Sequence, residues 1–227
     1  MVMSSRHKGD PQRLALILPG LTYTPARPLL HYLARMLNTR GWSVRELWWD
    51  PPTRGRRTYV EEQALAALAE EEARQVLIVA KCLGSLFLPA SQRHAIPGIW
   101  LTPMLDDPAV AEAVATGRTP GLVIGGTADP HWCPAAARAG RAAVLELPGA
   151  DHGLEVPGEI TTTLGYLGRV TAAAADFADS VPASRLSALA DSEGVGICRS
   201  SSGQEGHVSQ RRQSDVPLHD QTNDARS

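Results

Sequence analysis

The sequence predicts a three-layer α/β domain built on a mostly parallel six-stranded sheet, and three observations carry that prediction. Short apolar runs alternate along the chain with segments of helical spacing, the pattern of βαβ units joined by right-handed crossovers. The runs Val76-Leu77-Ile78-Val79 and Leu122-Val123-Ile124 are apolar at every position, as strands are when both faces of their sheet are covered. The first of these passes through Ala80-Lys81-Cys82-Leu83-Gly84 into a second apolar run, Leu86-Phe87-Leu88. Small residues therefore flank a cysteine, two before and two after, at a strand-to-helix turn.

The elements follow in order. Leu14-Ala15-Leu16-Ile17-Leu18, stopped by Pro19-Gly20, reads as the first buried strand. Pro25 and Pro28 open a helical pattern that carries Leu29, Leu30, Leu33, Met36 and Leu37 and ends at Gly41. Residues 42–49 alternate well enough for a second strand, which the polar alternate positions place at the sheet edge; Asp50-Pro51-Pro52 stops it. Glu61 and Glu62 early in 58–74, with Arg74 at its end, give the charge order that a helix dipole favours, so this segment reads as a surface helix. After the cysteine-bearing strand come Ile99-Trp100-Leu101 as a fourth strand and 122–124 with Gly125-Gly126 as a fifth. A short Ala-rich helix over 134–140, a sixth strand over 143–147 and a closing helix over 159–177 complete the pattern. One domain is expected over 13–179, preceded by a polar lead over 1–12. The polar tail over 180–227 has neither helical nor strand period and is expected to be disordered.

Composition bounds the function. The 227 residues, 43% of them hydrophobic, suffice for one domain with a large core. A formal net charge of -2 supplies no general attraction to nucleic acid or to an anionic membrane, and leaves a small-molecule substrate as the expected partner. Three cysteines without C-x-x-C spacing argue against a disulfide framework and a structural zinc site. Residues 1–8 contain no apolar core of signal-peptide length, and no later run approaches the ~20 apolar residues that span a bilayer. A soluble, cytoplasmic protein is expected.

The turn at Cys82 concentrates the chemistry. A strand that turns sharply into a helix leaves its central residue in a strained conformation with the side chain lifted above the sheet, and bulk at Ala80 or Gly84 would block the turn. A lone cysteine at the end of a buried strand also reads as a small core hydrophobe. What favours a thiol nucleophile is the chain downstream: Asp129 follows the fifth strand in Gly125-Gly126-Thr127-Ala128-Asp129-Pro130, and His152 follows the sixth in Pro148-Gly149-Ala150-Asp151-His152-Gly153. All three fall at the carboxyl edge of a parallel sheet, where ligands bind, in the order nucleophile, acid, histidine.

On these residues the chain resembles the α/β-hydrolase superfamily over 14–177, as a compact member without an inserted cap. The Cys-Asp-His combination is similar to that of dienelactone hydrolases, whereas Lys81-Cys82-Leu83-Gly84-Ser85 resembles the elbow of small serine hydrolases that carry K-S-L-G-S or K-S-L-G-T. The resemblance implies Cys82 as nucleophile, His152 as its base and Asp129 as the group that orients the imidazole, with no cofactor and no metal. It also implies an oxyanion hole made by the backbone N–H groups of Leu83 and of Leu21 in Pro19-Gly20-Leu21-Thr22, where superfamily members often carry His-Gly. Trp48, Met104 and Trp132 are candidate walls of a substrate pocket. Asp106 and Asp107 are fallback positions for the acid, and Asp151 reads as a turn residue. His131 and Cys133 beside Asp129 have no recognised metal-ligand spacing. Lys81 has two readings, an electrostatic aid to a thiolate or a solvated side chain on the elbow. The expected function is hydrolysis of a small ester, lactone or thioester through a Cys82 acyl-enzyme. The alternative is a catalytically idle α/β-hydrolase-fold protein that binds a small molecule or partner.

Overall fold

The computed structural model describes residues 2–181. Its strands are β1 (Met3–His7), β2 (Asp10–Leu18), β3 (Trp42–Trp48), β4 (Gln75–Lys81), β5 (Gly98–Leu101), β6 (Gly121–Gly126) and β7 (Ala143–Leu147). Its helices are α1 (Pro28–Thr39), α2 (Arg56–Ala69), α3 (Leu88–Arg93), α4 (Pro108–Thr116), α5 (Pro134–Ala137) and α6 (Ile160–Ser180), and a 3₁₀ segment, Cys82–Phe87, joins β4 to α3. The strands form one sheet in the order β1-β3-β2-β4-β5-β6-β7. Only β1 runs antiparallel to its neighbour.

Strand alternation sends side chains to two cores. Leu14, Leu16 and Leu18 of β2 pack with Val60, Ala64 and Leu68 of α2 and with Leu88 and Val110 beyond the elbow. Ala15 and Ile17 of the same strand face Leu30, Leu33 and Leu37 of α1 and Val170 and Ala174 of α6. Helices on both faces leave the carboxyl edge of the sheet as the open rim.

Three expectations need correction. The sheet has seven strands rather than six, because the stretch read as a polar lead contains β1 and the start of β2. Met3–His7 buries too little apolar surface to announce itself; polar partners hold it instead. Ser5 Oγ donates to Glu46 Oε2 at 2.5 Å and itself accepts from Trp48 Nε1 at 3.0 Å, while Arg6 pairs with Glu71 at 2.6 Å. Second, β3 is therefore not an edge strand, since β1 covers it. Its polar positions mark an ion network in which the buried Arg45 reaches Glu71, the exposed Glu70 and the Ala67 carbonyl. Third, α2 stops at Ala69, and Ala73 is already buried in the core beneath the turn into β4. The tail expected to be disordered lies, from residue 182 onward, outside the described residues. Among the described residues no helix is long and apolar enough to cross a membrane.

Candidate active site

Strand β4 stays extended through Lys81, at φ -118° and ψ 131°, and Cys82 then turns to φ +49°, in the left-handed region that side chains disfavour. Packing over-determines the turn. Gly84 lies so close to β2 that a Cβ added there would sit 2.6 Å from the Leu18 carbonyl oxygen, so only glycine fits. The buried Ser85 hydroxyl donates to the Cys82 carbonyl at 2.6 Å and accepts the Met104 N–H at 3.0 Å, tying the elbow to the loop after β5. The thiol is half-buried.

Asp129 follows β6 in a loop closed by its own backbone, with its N–H donating to Gly126 and its carbonyl accepting from Trp132. Its carboxylate is fully buried, accepts the His131 N–H at 2.9 Å through Oδ1, and lies 2.8 Å from His152 Nδ1 through Oδ2. Burial pushes this carboxyl up, but the His152 imidazole and the His131 N–H outweigh it and hold it below the usual range. His152 sits in a loop after β7 whose turn is fixed by Asp151, which accepts the N–H groups of Gly153 at 2.7 Å and Glu155 at 3.1 Å. His152 and Cys82 also act on each other, the imidazole lowering the thiol and the sulfur raising the imidazole, so Asp129, His152 and Cys82 form one coupled group. The Asp129 carboxylate first, and the Cys82 sulfur second, raise the imidazole to about 9. Burial raises Cys82, yet His152, Lys81 and the Leu21 N–H together bring the thiol below its ordinary value.

The loop after β2 supplies that last contact. Gly20 allows the close approach: a Cβ there would lie 3.4 Å from the Cys82 Cβ and 3.1 Å from that of Tyr23. The Leu21 backbone N–H acts on the thiol from this loop and lowers it. Leu83, the second residue of the 3₁₀ turn, has an N–H ahead of the turn's first internal bond, which leaves it free for another acceptor.

The remaining sequence candidates separate. Asp107 caps α4, accepting the N–H groups of Ala109 at 3.0 Å and Val110 at 3.2 Å, and pairs with Arg57. Asp106 binds His131 Nδ1 at 2.9 Å, and the His131 ring stands edge-on to His152 with centroids 5.3 Å apart. Neither carboxylate is the partner of His152. Trp132 is a core residue rather than a pocket wall: its indole covers Gly125 so closely that a Cβ there would meet the ring at 2.0 Å, and its Nε1 donates to Glu146 at 2.8 Å. Met104 packs half-buried against the core on the α2 side. Trp48 does line a cavity, of about 240 Å³, together with Gly20, Leu21 and Trp49. A larger, apolar cavity of about 480 Å³ lies on the other side of the His152 loop, between Tyr23, Leu29, Leu154, Ile160 and Leu164. Neither cavity is lined by Cys82 or His152 themselves.

Lys81 is not solvated. It is 1% exposed, its Nζ donates to Thr102 Oγ1 and, at 2.6 Å, to the His152 carbonyl, and it lies 5.2 Å from the centre of the Tyr23 ring. Sequence reasoning had no motif for Thr102 or Tyr23. The one trace of Thr102 is its place as the first polar residue after the apolar run of β5, where it adopts φ +40°.

No family model and no curated protein matches the sequence. Solved structures do match. The chain superposes on a dienelactone hydrolase from Anabaena variabilis with a TM-score of 0.62 at 15% identity, covering 79% of this chain and 92% of that one. The fold is that of the α/β hydrolases. Within it, Est1E from Butyrivibrio proteoclasticus, solved with ferulic acid bound, aligns with a TM-score of 0.61 at 14% identity over 78% of this chain and 93% of its own. An α/β serine hydrolase without a lid from Xanthomonas campestris aligns with a TM-score of 0.56 at 14% identity, covering 80% and 91%. In an α/β-hydrolase fold the turn after β4 and the loops after β6 and β7 share one rim, where Cys82, Asp129 and His152 stand.

Proposed function

We propose that this protein is a hydrolase that cleaves a small ester, lactone or thioester through a Cys82 acyl-enzyme, with His152 as acid and base and Asp129 as its orienting carboxylate. The observation that carries the reading is the 2.8 Å Asp129–His152 pair on the same rim as Cys82, whose backbone is held at φ +49° at the strand-to-helix turn. The structural neighbours support ester hydrolysis as the reaction class, since they include a dienelactone hydrolase and a structure with ferulic acid bound.

In the first half-reaction the Cys82 thiolate attacks the acyl carbonyl carbon. The carbonyl π pair moves to oxygen, and the N–H groups of Leu21 and Leu83 receive that oxyanion. On collapse the bond to the leaving group breaks, and His152 passes its proton to the departing alcohol or thiol. In the second half-reaction neutral His152 takes a proton from water as the hydroxide adds to the thioester carbon, and collapse breaks the C–S bond, releasing the carboxylic acid and leaving the Cys82 thiolate beside the imidazolium. Asp129 keeps Nδ1 protonated, so that Nε2 faces the sulfur throughout. The 240 Å³ cavity beside Leu21 is the acyl pocket of this reading, with Trp48 and Trp49 as its aromatic wall.

The test is a panel of short aryl esters and thioesters under pre-steady-state conditions. The expected result is a burst of one product per Cys82 and a covalent acyl adduct on the Cys82 peptide by mass spectrometry. No burst and no adduct across the panel would assign the fold instead to a non-catalytic binder.

A further inference from the structure

Lys81 is a buried titratable side chain to which the reaction above gives no role. Its aliphatic stem belongs to the interior of β4, and its ammonium emerges beneath the rim among four elements: the elbow, Thr102 at the end of β5, the His152 loop and Tyr23 of the loop after β2. Enclosing an ammonium is costly unless hydrogen bonds and opposite charge surround it. The hydroxyl of Thr102 and the carbonyl of His152 supply the bonds. The acidic groups that act on the ammonium are, in order, Cys82, Asp129 and Asp151, the last already accepting backbone N–H groups.

Charge balance shows what the ammonium does. An ionised Asp129 and a protonated His152 form a neutral pair. Ionising Cys82 beside them leaves one uncompensated negative charge in a half-buried cluster, which a low-dielectric site resists. A fourth group, positively charged and not itself consumed by the reaction, restores neutrality. Building on the thiol-hydrolase reading, we propose that Lys81 is the internal counter-ion of the Cys82 thiolate and, through the His152 carbonyl, the strut that holds the imidazole loop against the elbow. Lys81 does not touch the reacting carbonyl, so it is a positioning residue. Burial lowers the ammonium to about 8, with Cys82 the leading group that opposes this, which is the reciprocal sign expected of such a pair. The presence of a cysteine where the elbow resembles that of serine hydrolases then has a physical reason: a thiol gains from a neighbouring cation through ionisation at neutral pH, and a serine hydroxyl does not.

The experiment measures the pH dependence of Cys82 alkylation by iodoacetamide, peptide by peptide, with the exposed Cys133 as internal reference. Wild type, Lys81→Met, Lys81→Arg and Thr102→Val are compared after circular dichroism has confirmed folding. Wild-type Cys82 labels faster than Cys133 at pH 6.5. In Lys81→Met its titration midpoint moves up by one unit or more, with about tenfold slower labelling at pH 6.5 and an unchanged limiting rate at high pH. Lys81→Arg, which keeps the positive charge, stays near the wild-type profile, and Thr102→Val, which removes one bond to the ammonium, falls between wild type and Lys81→Met. A structural role alone would lower the melting temperature without moving the midpoint.

The converse measurement leaves Lys81 in place and keeps the proposal open to refutation if Lys81→Met fails to fold. Coupling between two titrating groups is reciprocal. Carbon-13 NMR of the Lys81 ε-carbon should therefore show a lower ammonium midpoint in Cys82→Ala than in wild type. An unmoved lysine midpoint, or an unmoved Cys82 midpoint in a folded Lys81→Met, overturns the counter-ion assignment while the acyl-enzyme reading stands. Slow labelling of Cys82 in wild type overturns both.

Discussion

His152 Nδ1 lies 2.8 Å from Asp129 Oδ2, and the carboxylate that makes this contact is entirely buried. The pair joins two loops that follow adjacent strands, β6 and β7, and fixes which imidazole nitrogen faces Cys82. Replacing the acceptor-only carboxylate with an amide offers the ring a donor and favours the wrong tautomer. Asp129→Asn is therefore expected to lower kcat/KM on the responsive ester by on the order of 10³–10⁴-fold. Asp106→Asn should leave the rate within a few-fold, since that carboxylate reaches only His131. Asp107→Ala should act on stability instead, costing about 1 kcal/mol through the lost α4 cap with kcat unchanged. If Asp106→Asn were the more damaging change, the acid assignment would be wrong.

The geometry of the elbow makes a second prediction. An added methyl at Gly84 would press on the Leu18 carbonyl, a backbone atom of β2 that cannot rotate away. Gly84→Ala is expected to destabilise the fold by about 1–3 kcal/mol, as overpacking does, and to slow acyl transfer by displacing the Leu83 N–H. Urea midpoints and burst rates measure the two effects separately. A variant with wild-type stability would show that the turn has slack the contact distances deny.

Much of this arrangement is legible from residue order alone. Cys82, Asp129 and His152 each follow the end of a strand by one to five residues, and parallel topology brings such positions to one rim whatever their separation in sequence. What escapes the sequence is whatever depends on polar partners far along the chain. Met3–His7 reads as loop because its stabilising contacts are Glu46, Trp48 and Glu71, and nothing local signals them. Asp106 and Asp129 are alike as letters in loops after strands; only the tertiary contacts give one to His131 and the other to His152. Trp132 looks like any pocket aromatic until the close approach of Gly125 shows where its ring lies. Lys81 on a tight turn suggests a solvated cation, yet its stem is long enough to carry the charge under the rim rather than out of it.

Proton bookkeeping yields a prediction for stability. The folded-state value of His152 is raised from 6.5 to about 9, so its contribution to stability is fully present below pH 6.5 and is lost as pH rises toward the folded value. Cys82 shifts the other way, so its slope opposes that of His152: a thiolate–imidazolium pair binds one proton, as the unfolded thiol and neutral imidazole do. Over the range in which Cys82 is ionised the two slopes cancel in wild type. Cys82→Ala removes the cancellation while Asp129, the main cause of the upward shift, remains. Urea midpoints of Cys82→Ala should fall between pH 6.5 and 8, whereas those of wild type should stay nearly level. Above pH 8 the loss of the Lys81 proton adds an opposite slope, because a depressed lysine favours the folded state as pH rises toward 10.5. A level profile in Cys82→Ala would mean that Asp129 does not hold the imidazole protonated.

Cys82→Ser tests whether the site is built for a thiol or only tolerates one. The hydroxyl fits the same turn, since Cys and Ser differ by one atom and the φ of +49° is set by the packing of Gly84 and by Ser85, not by the sulfur. Ser does not ionise at neutral pH, so His152 would have to remove its proton during attack rather than hold it beforehand. An imidazole raised to about 9 is mostly protonated at pH 7 and is a poor base there, although losing the thiolate that helps to raise it would restore part of its basicity. Cys82→Ser is thus expected to retain a fraction of wild-type acylation, with a rate that climbs as pH rises from 7 toward 9, a rise that wild type, which holds its thiolate beforehand, does not share. Cys82→Ala should show none. Burst amplitudes and rates across that range measure both. A serine variant with the wild-type pH profile would mean that no thiolate–imidazolium pair precedes attack in the wild-type protein.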